Sequence, residues 1–206
     1  MKSKPKFSDT SKMPCKSWSL PAIETCPGSV EKDGKLVPAC QKCYANKGFY
    51  KMTPAKNLRA HNLADWKRAG WVEAMVQEIQ KKKFFRWFDS GDIYEPLLAK
   101  KIFMICYYTP TVMHWLPTRS FKIPEIALEL TDLEEMLQNV VVRKSSDSVT
   151  GETIEGKNTS TILQSAKDFK PRKGAVLCRA FERSGQCGKC RACWNPKVKI
   201  VYYVEH

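Results

Sequence analysis

The 206-residue chain has no apolar run approaching the ~20 residues that a membrane-spanning helix requires. Its richest stretch, residues 102–116, is broken by Thr109, Pro110 and His114. The amino terminus, Met-Lys-Ser-Lys-Pro-Lys, is basic with no apolar segment behind it, so no signal peptide is expected. Internal repeats are lacking too. So is any excess of charge in the middle of the chain, where residues 61–169 hold fourteen Lys/Arg against fifteen Asp/Glu. These absences speak against a helical membrane protein and against export. In a reducing cytoplasm, nine cysteines are expected to be metal ligands rather than disulfide partners.

Seven of the nine cysteines fall in two groups. Cys178, Cys187, Cys190 and Cys193 lie within sixteen residues, and the last three repeat as C-x-x-C-x-x-C. Cysteines two residues apart can turn their sulfurs toward one metal, and a third at the same interval adds a ligand from the same loop. That run is the core of the bacterial ferredoxin spacing, with a fourth thiolate supplied from elsewhere. Structural zinc more often uses two separated C-x-x-C pairs. Cys187, Cys190 and Cys193 with Cys178 therefore favour a 4Fe-4S cluster, with zinc as the alternative. Inert buried thiols do not suit so polar a loop, which also carries Arg179, Glu182, Arg183, Gln186, Lys189 and Arg191.

The second group, Cys26 with Cys40-x-x-Cys43, supplies three ligands, and Cys15 is a candidate fourth. Three thiolates leave one iron of a 4Fe-4S cluster open to a substrate, water or small ligand. Four close the cluster and suit electron transfer or structure. A competing arrangement joins Cys40-x-x-Cys43 to one carboxy-terminal C-x-x-C pair as a zinc-ribbon-like site.

The net charge of +14 travels with the cysteines. Residues 1–60 carry +8 and residues 170–206 carry +7. A basic surface beside a metal site points to a polyanion, of which nucleic acid is the commonest. Trp18, Tyr44, Phe49, Tyr50, Phe181 and Trp194 are interleaved with that charge and could stack bases.

Residues 1–18 read as a flexible basic arm. Residues 19–206 read as a single α/β domain, with 174–206 a carboxy-terminal metal-binding segment. Thr53-Pro54 opens a helix running to about Arg68, and apolar residues at 71, 72, 75, 76 and 79 mark another over 71–83. Strands are expected at 84–88, 112–116 and 140–142, with helices at 95–107 and 122–138 between them. A hairpin is expected around Thr150-Gly151-Glu152, then strands at 175–177 and 199–204. Strand, polar loop and helix in succession imply βα units, so the fold expected is a partial (β/α) barrel or an open parallel sheet, with cysteine-rich loops at both ends of the chain. Polar residues just past such strand ends face the ligand. Asp89, Ser90, Asp92, Thr118, Arg119, Ser120, Ser145 and Asp147 hold that position. Asp89, Asp92 and Arg119 are the candidate catalytic residues.

Leu20-Pro21-Ala22 with Thr25-Cys26-Pro27-Gly28 and Cys40-Gln-Lys-Cys43-Tyr44-Ala45 resembles the phage gene product 88 domain family. So do Ser90-Gly91-Asp92, Pro117-Thr118-Arg119-Ser120 and the closing C-x-x-C-x-x-C-W. The resemblance covers about residues 19–195 and implies a phage protein at work in a bacterial cytoplasm. The chain is more distantly similar to radical SAM enzymes, which combine a partial βα barrel with a three-cysteine 4Fe-4S cluster. Their ligand spacing is C-x-x-x-C-x-x-C, whereas thirteen residues separate Cys26 from Cys40 here. That resemblance implies S-adenosylmethionine as cofactor, with Tyr44, Ser90 and Gly91 as cofactor-binding candidates.

Three functions follow as expectations. The first is an iron–sulfur protein with one or two clusters, enzymatic in the radical SAM manner, that acts on or binds nucleic acid. The second is a zinc-stapled, non-catalytic nucleic-acid-binding or host-modulating module. The third is a nuclease holding magnesium with Asp89, Asp92 and Glu95.

Overall fold

The computed structural model describes residues 4–205. Its strands are β1 (Ser17–Trp18), β2 (Phe84–Trp87), β3 (Met113–Thr118), β4 (Val140–Ser145), β5 (Thr159–Leu163), β6 (Ala175–Leu177) and β7 (Ile200–Val204). They form one seven-stranded sheet in the order β1-β2-β3-β4-β5-β7-β6, and every pair is parallel. The sheet is open, with β1 at one edge and β6 at the other. It is not closed into a barrel.

The helices are α1 (Pro38–Gln41), α2 (Thr53–Asp65), α3 (Trp71–Ile79), α4 (Pro96–Tyr107) and α5 (Pro124–Met136). Pro38, Pro54, Pro96 and Pro124 stand in the first turn of α1, α2, α4 and α5. There the missing N–H costs nothing and the fixed φ is already helical. Gly70, at φ 75°, turns the chain into α3. None of these helices is long and apolar enough to cross a membrane.

Side-chain alternation along the strands makes two different faces. Phe85, Trp87, Leu116, Val140 and Val142 meet Trp71, Met75 and Ile79 of α3, Leu98, Ile102 and Ile105 of α4, and Ile126, Leu130 and Leu133 of α5. The opposite face presents Phe84, Met113, Trp115 and Tyr203, covered by Met13, Cys15, Cys187, Cys193 and Trp194. The helices therefore lie on one side and the cysteine-bearing chain end lies on the other.

Residues 4–18, the described part of the sequence read as an arm, pack against the domain; residues 1–3 lie outside the described residues. Ser8 and Ser17 exchange backbone hydrogen bonds of 2.8 and 3.1 Å. The Phe7 ring meets Phe85 edge-on at 5.5 Å, and Asn62 Nδ2 donates to the Lys6 carbonyl at 3.0 Å. No hairpin forms around residues 150–152. β4 and β5 run parallel, so the chain between them must cross back over, and it does so as turn and coil. β5 was not expected from the sequence at all.

Candidate metal centre

β6 ends at Leu177 and delivers Cys178, whose N–H donates to the Tyr202 carbonyl at 2.8 Å. A short 3-10 turn over Arg179–Arg183 then lifts the chain off the sheet. Gly185 and Gly188, both at positive φ, fold it back. The Cys187 N–H donates to Lys12 O at 2.8 Å, which pins the loop to the amino-terminal segment. Trp194 closes it. Its ring is 2% exposed, meets Trp115 at 5.1 Å and Phe84 at 5.7 Å, and its Nε1 donates to Phe85 O at 2.9 Å.

The outcome is one small pocket, open to solvent, lined by Cys178, Cys187, Cys190 and Cys193, with Val176, Arg183, Ala192, Trp194 and Val201. Cys193 Sγ lies 3.3 Å from the Tyr203 hydroxyl. Burial pushes the Cys193 thiol up to about 11, against the lowering pull of Tyr203 and Arg143. Cys187 is pushed up by burial and by Cys178. Burial raises Cys15 to about 12, with Arg86, Cys187 and Arg191 around it. Cys15 thus belongs with the carboxy-terminal group and not with Cys26, Cys40 and Cys43, where the sequence made it a candidate.

The amino-terminal group sits at the carboxyl ends of the strands. Burial pushes the Cys26 thiol up, followed by the charges of Asp92, Cys40 and Cys43. Burial raises Cys43 too, with Cys40 and Arg119 nearby. Close backbone approaches fix this loop. A Cβ on Gly28 would collide with the Arg119 carbonyl, and one on Gly91 (φ 76°) with Leu20 and Thr25. The Ala39 N–H donates to the Asp147 carbonyl at 2.9 Å. Cys26 thus has Cys40 and Cys43 as its charged neighbours, whereas Cys187 has Cys178 and Cys190, with Cys15 beside it. Cys106 stands apart, buried within α4. Among the described residues, no three His, Cys, Asp or Glu side chains converge as a single-ion site.

The strand-end polar residues are present where expected, and most are engaged with the fold. Asp89 accepts from Ser17 Oγ at 2.9 Å and from Tyr50 OH at 3.0 Å. Asp92 accepts from the backbone N–H of Ile93 and of Arg119, both at 2.8 Å. Burial nonetheless raises its carboxyl above the ordinary range. Glu95 pairs with Lys67 at 2.8 Å. The three carboxylates of the magnesium arrangement thus serve partners that none of them share. Ser90 Oγ donates to Leu20 O at 2.8 Å and accepts from Arg59. Tyr44 OH donates to Asp89 O at 2.6 Å while its ring stays exposed. Arg119 donates to Ser146 O at 2.8 Å and lies 3.4 Å from Asp147.

Two arginines escaped the sequence reading. Arg86 lies over the Trp115 ring, its Cζ 4.4 Å from the centroid, donating to Met13 Sδ at 3.2 Å and Tyr44 OH at 3.4 Å. Arg143 is fully buried in β4 and donates to Thr159, Val198 and Ala192 carbonyls. A charged residue inside an otherwise aromatic or valine strand was the available signal. Of the aromatics expected to stack bases, Trp18 and Trp194 are core, whereas Tyr44, Phe49 and Phe181 are exposed.

The family model described as Gene product 88 matches residues 2–196. No curated protein and no solved structure matches the chain.

Proposed function

The chain belongs to the phage Gene product 88 family, and from that premise we propose that it is an iron–sulfur protein that engages nucleic acid. Cys178, Cys187, Cys190 and Cys193 would hold one 4Fe-4S cluster closed by four thiolates. Cys26, Cys40 and Cys43 would hold a second, with one iron left for a substrate or for S-adenosylmethionine. Bound there, such a cluster supplies one-electron chemistry.

The observation that carries the reading is the ring of four cysteines around one pocket. A single tetrahedral zinc, with Zn–S bonds of about 2.3 Å, would draw its four sulfurs to about 3.8 Å from one another. A cubane instead takes one thiolate at each of its four iron corners, and Cys178, Cys187, Cys190 and Cys193 around one pocket are the residues that would supply them.

Nucleic acid is supported by the surface beside Cys40 and Cys43. Phe49 is 70% exposed and Met52 52%, and Tyr44 is half-exposed among the exposed lysines Lys42, Lys47 and Lys51. Exposed aromatic rings among lysines suit a single strand, with stacking worth about 1–3 kcal/mol per base. The test is anaerobic purification followed by an absorption spectrum and counts of iron, sulfide and zinc, alongside anisotropy with a single-stranded oligonucleotide. About eight irons with matching sulfide are expected for two cubanes, with binding that falls steeply with salt and weakens in Phe49→Ala. Zinc with no sulfide would leave the zinc-stapled binding module in its place.

A further inference from the structure

Arg143 is a cation with nothing negative beside it. It is 0% exposed, at the middle of β4. Its guanidinium donates to the carbonyls of Thr159 at 2.9 Å, Val198 at 3.2 Å and Ala192 at 3.3 Å, and its Nε is buried without a partner. Among the described residues no carboxylate forms a salt bridge with it. Carbonyl dipoles orient a guanidinium but do not cancel its charge, and a buried charge without a counter-ion is strongly destabilising. Arg86 differs, because the Asp89 carboxylate lies within its electrostatic range.

Arg143 lies behind the cysteine pocket, with Cys193 within its electrostatic range. Ala192, one of its acceptors, lines that pocket and precedes Cys193. Tyr203 OH lies 3.3 Å from Cys193 Sγ on the same side. A ligating Cys193 carries no proton, so in the loaded protein this hydroxyl must be the donor. A 4Fe-4S cluster on four thiolates is a dianion when oxidised and a trianion when reduced. A buried cation and a hydrogen bond to sulfur both favour the more negative state.

We propose that Arg143 is the resident counter-cation of the four-cysteine centre, and that with Tyr203 it poises the cluster there to accept an electron. This rests on the iron–sulfur reading above. The centre is then an electron carrier rather than a staple. One electron from a low-potential one-electron donor enters the cluster, no bond to the protein is broken, and Arg143 offsets the added charge.

The test is an EPR-monitored redox titration with dithionite on the full-length, anaerobically purified chain, following the signal that is lost in Cys187→Ser. Iron and sulfide are counted in each sample. Arg143→Met keeps an unbranched apolar stem in place of the arginine's aliphatic part and removes the charge. At the wild-type midpoint its reduced-to-oxidised ratio should fall about tenfold, a shift of about 59 mV to lower potential for one electron. Arg143→Lys, which keeps the charge, should stay within about threefold of wild type, and Tyr203→Phe should shift in the same direction as Arg143→Met by less. A fully loaded Arg143→Met with an unmoved midpoint overturns the counter-cation role while leaving the cluster in place. Should Arg143→Met not fold, Arg143→Gln, neutral but still able to meet the Thr159 and Val198 carbonyls, takes its place: an unmoved midpoint overturns the counter-cation role, and a downward shift supports it. Wild type with neither iron nor sulfide removes this inference and the iron–sulfur reading together.

Discussion

Replacing Trp194 tests how the cysteine loop is fastened to the sheet. The ring follows Cys193 directly, is 2% exposed and fills the space between Phe84 and Trp115. A buried tryptophan removes about 150–250 Å² from water, or about 4–6 kcal/mol at 25 cal/mol per Å². Large-to-small substitutions at such sites lose about 3–5 kcal/mol, because the surroundings relax only in part. Trp194→Ala also strips Phe85 O of its 2.9 Å donor. The expected loss is about 4 kcal/mol, a large share of the 5–15 kcal/mol typical of a domain. In a chain of this size that lowers the melting temperature by about 8–16 °C. Trp194→Phe keeps most of the apolar contact and loses the hydrogen bond, so it should fall between the two. Anaerobic thermal and urea unfolding of the three proteins measures this directly. A Trp194→Ala loss below about 1 kcal/mol, within the range of an ordinary surface substitution, would refute the anchoring argument.

Other perturbations address other parts of the fold. His114 is wholly buried against Phe85 and Trp87. Thr109 Oγ1 donates to Ile105 O and so accepts from its Nε2. Burial holds its pKa down at about 3, against an ordinary 6.5. The unfolded chain therefore takes up the proton first, and the stability held above pH 6.5 is lost progressively as pH falls toward 3. That slope is about 1.4 kcal/mol per pH unit, so urea midpoints at pH 7 and pH 5 should diverge more in wild type than in His114→Phe. Equal divergence would contradict it. Gly28→Ala puts a methyl group into the Arg119 backbone, for an overpacking loss of about 1–3 kcal/mol. It should also halve the iron count, because only the Cys26 loop is displaced. An unchanged count would show that this approach does not position Cys26.

Much of the fold was legible in the sequence because its helices announce themselves locally. Prolines mark the first turns of α2, α4 and α5, and apolar residues return every three or four positions along α3 and α5. β2, β3 and β4 stood out as apolar runs that end in polar clusters. β1 is only two residues long, so it gave no periodic signal. β5 reads Thr-Ser-Thr-Ile-Leu, and its buried hydroxyl-bearing residues looked like loop composition. Its parallel partner β7 lies about forty residues further along the chain, a pairing no local pattern encodes. The cysteine spacing exposed the two groups of cysteines. The grouping of Cys15 with Cys187 and the placement of Arg143 behind Cys193 depend on contacts between distant segments.

The central claim is that two separate cysteine groups each hold a cluster. Iron and sulfide per chain, counted in wild type, Cys187→Ser, Cys26→Ser and Cys106→Ala after anaerobic purification, test it most directly. About eight irons in wild type, about four in each serine variant and about eight in Cys106→Ala are expected from two cubanes. Equal loss of all iron in both serine variants would mean one shared centre, and zinc without sulfide in wild type would contradict the account outright.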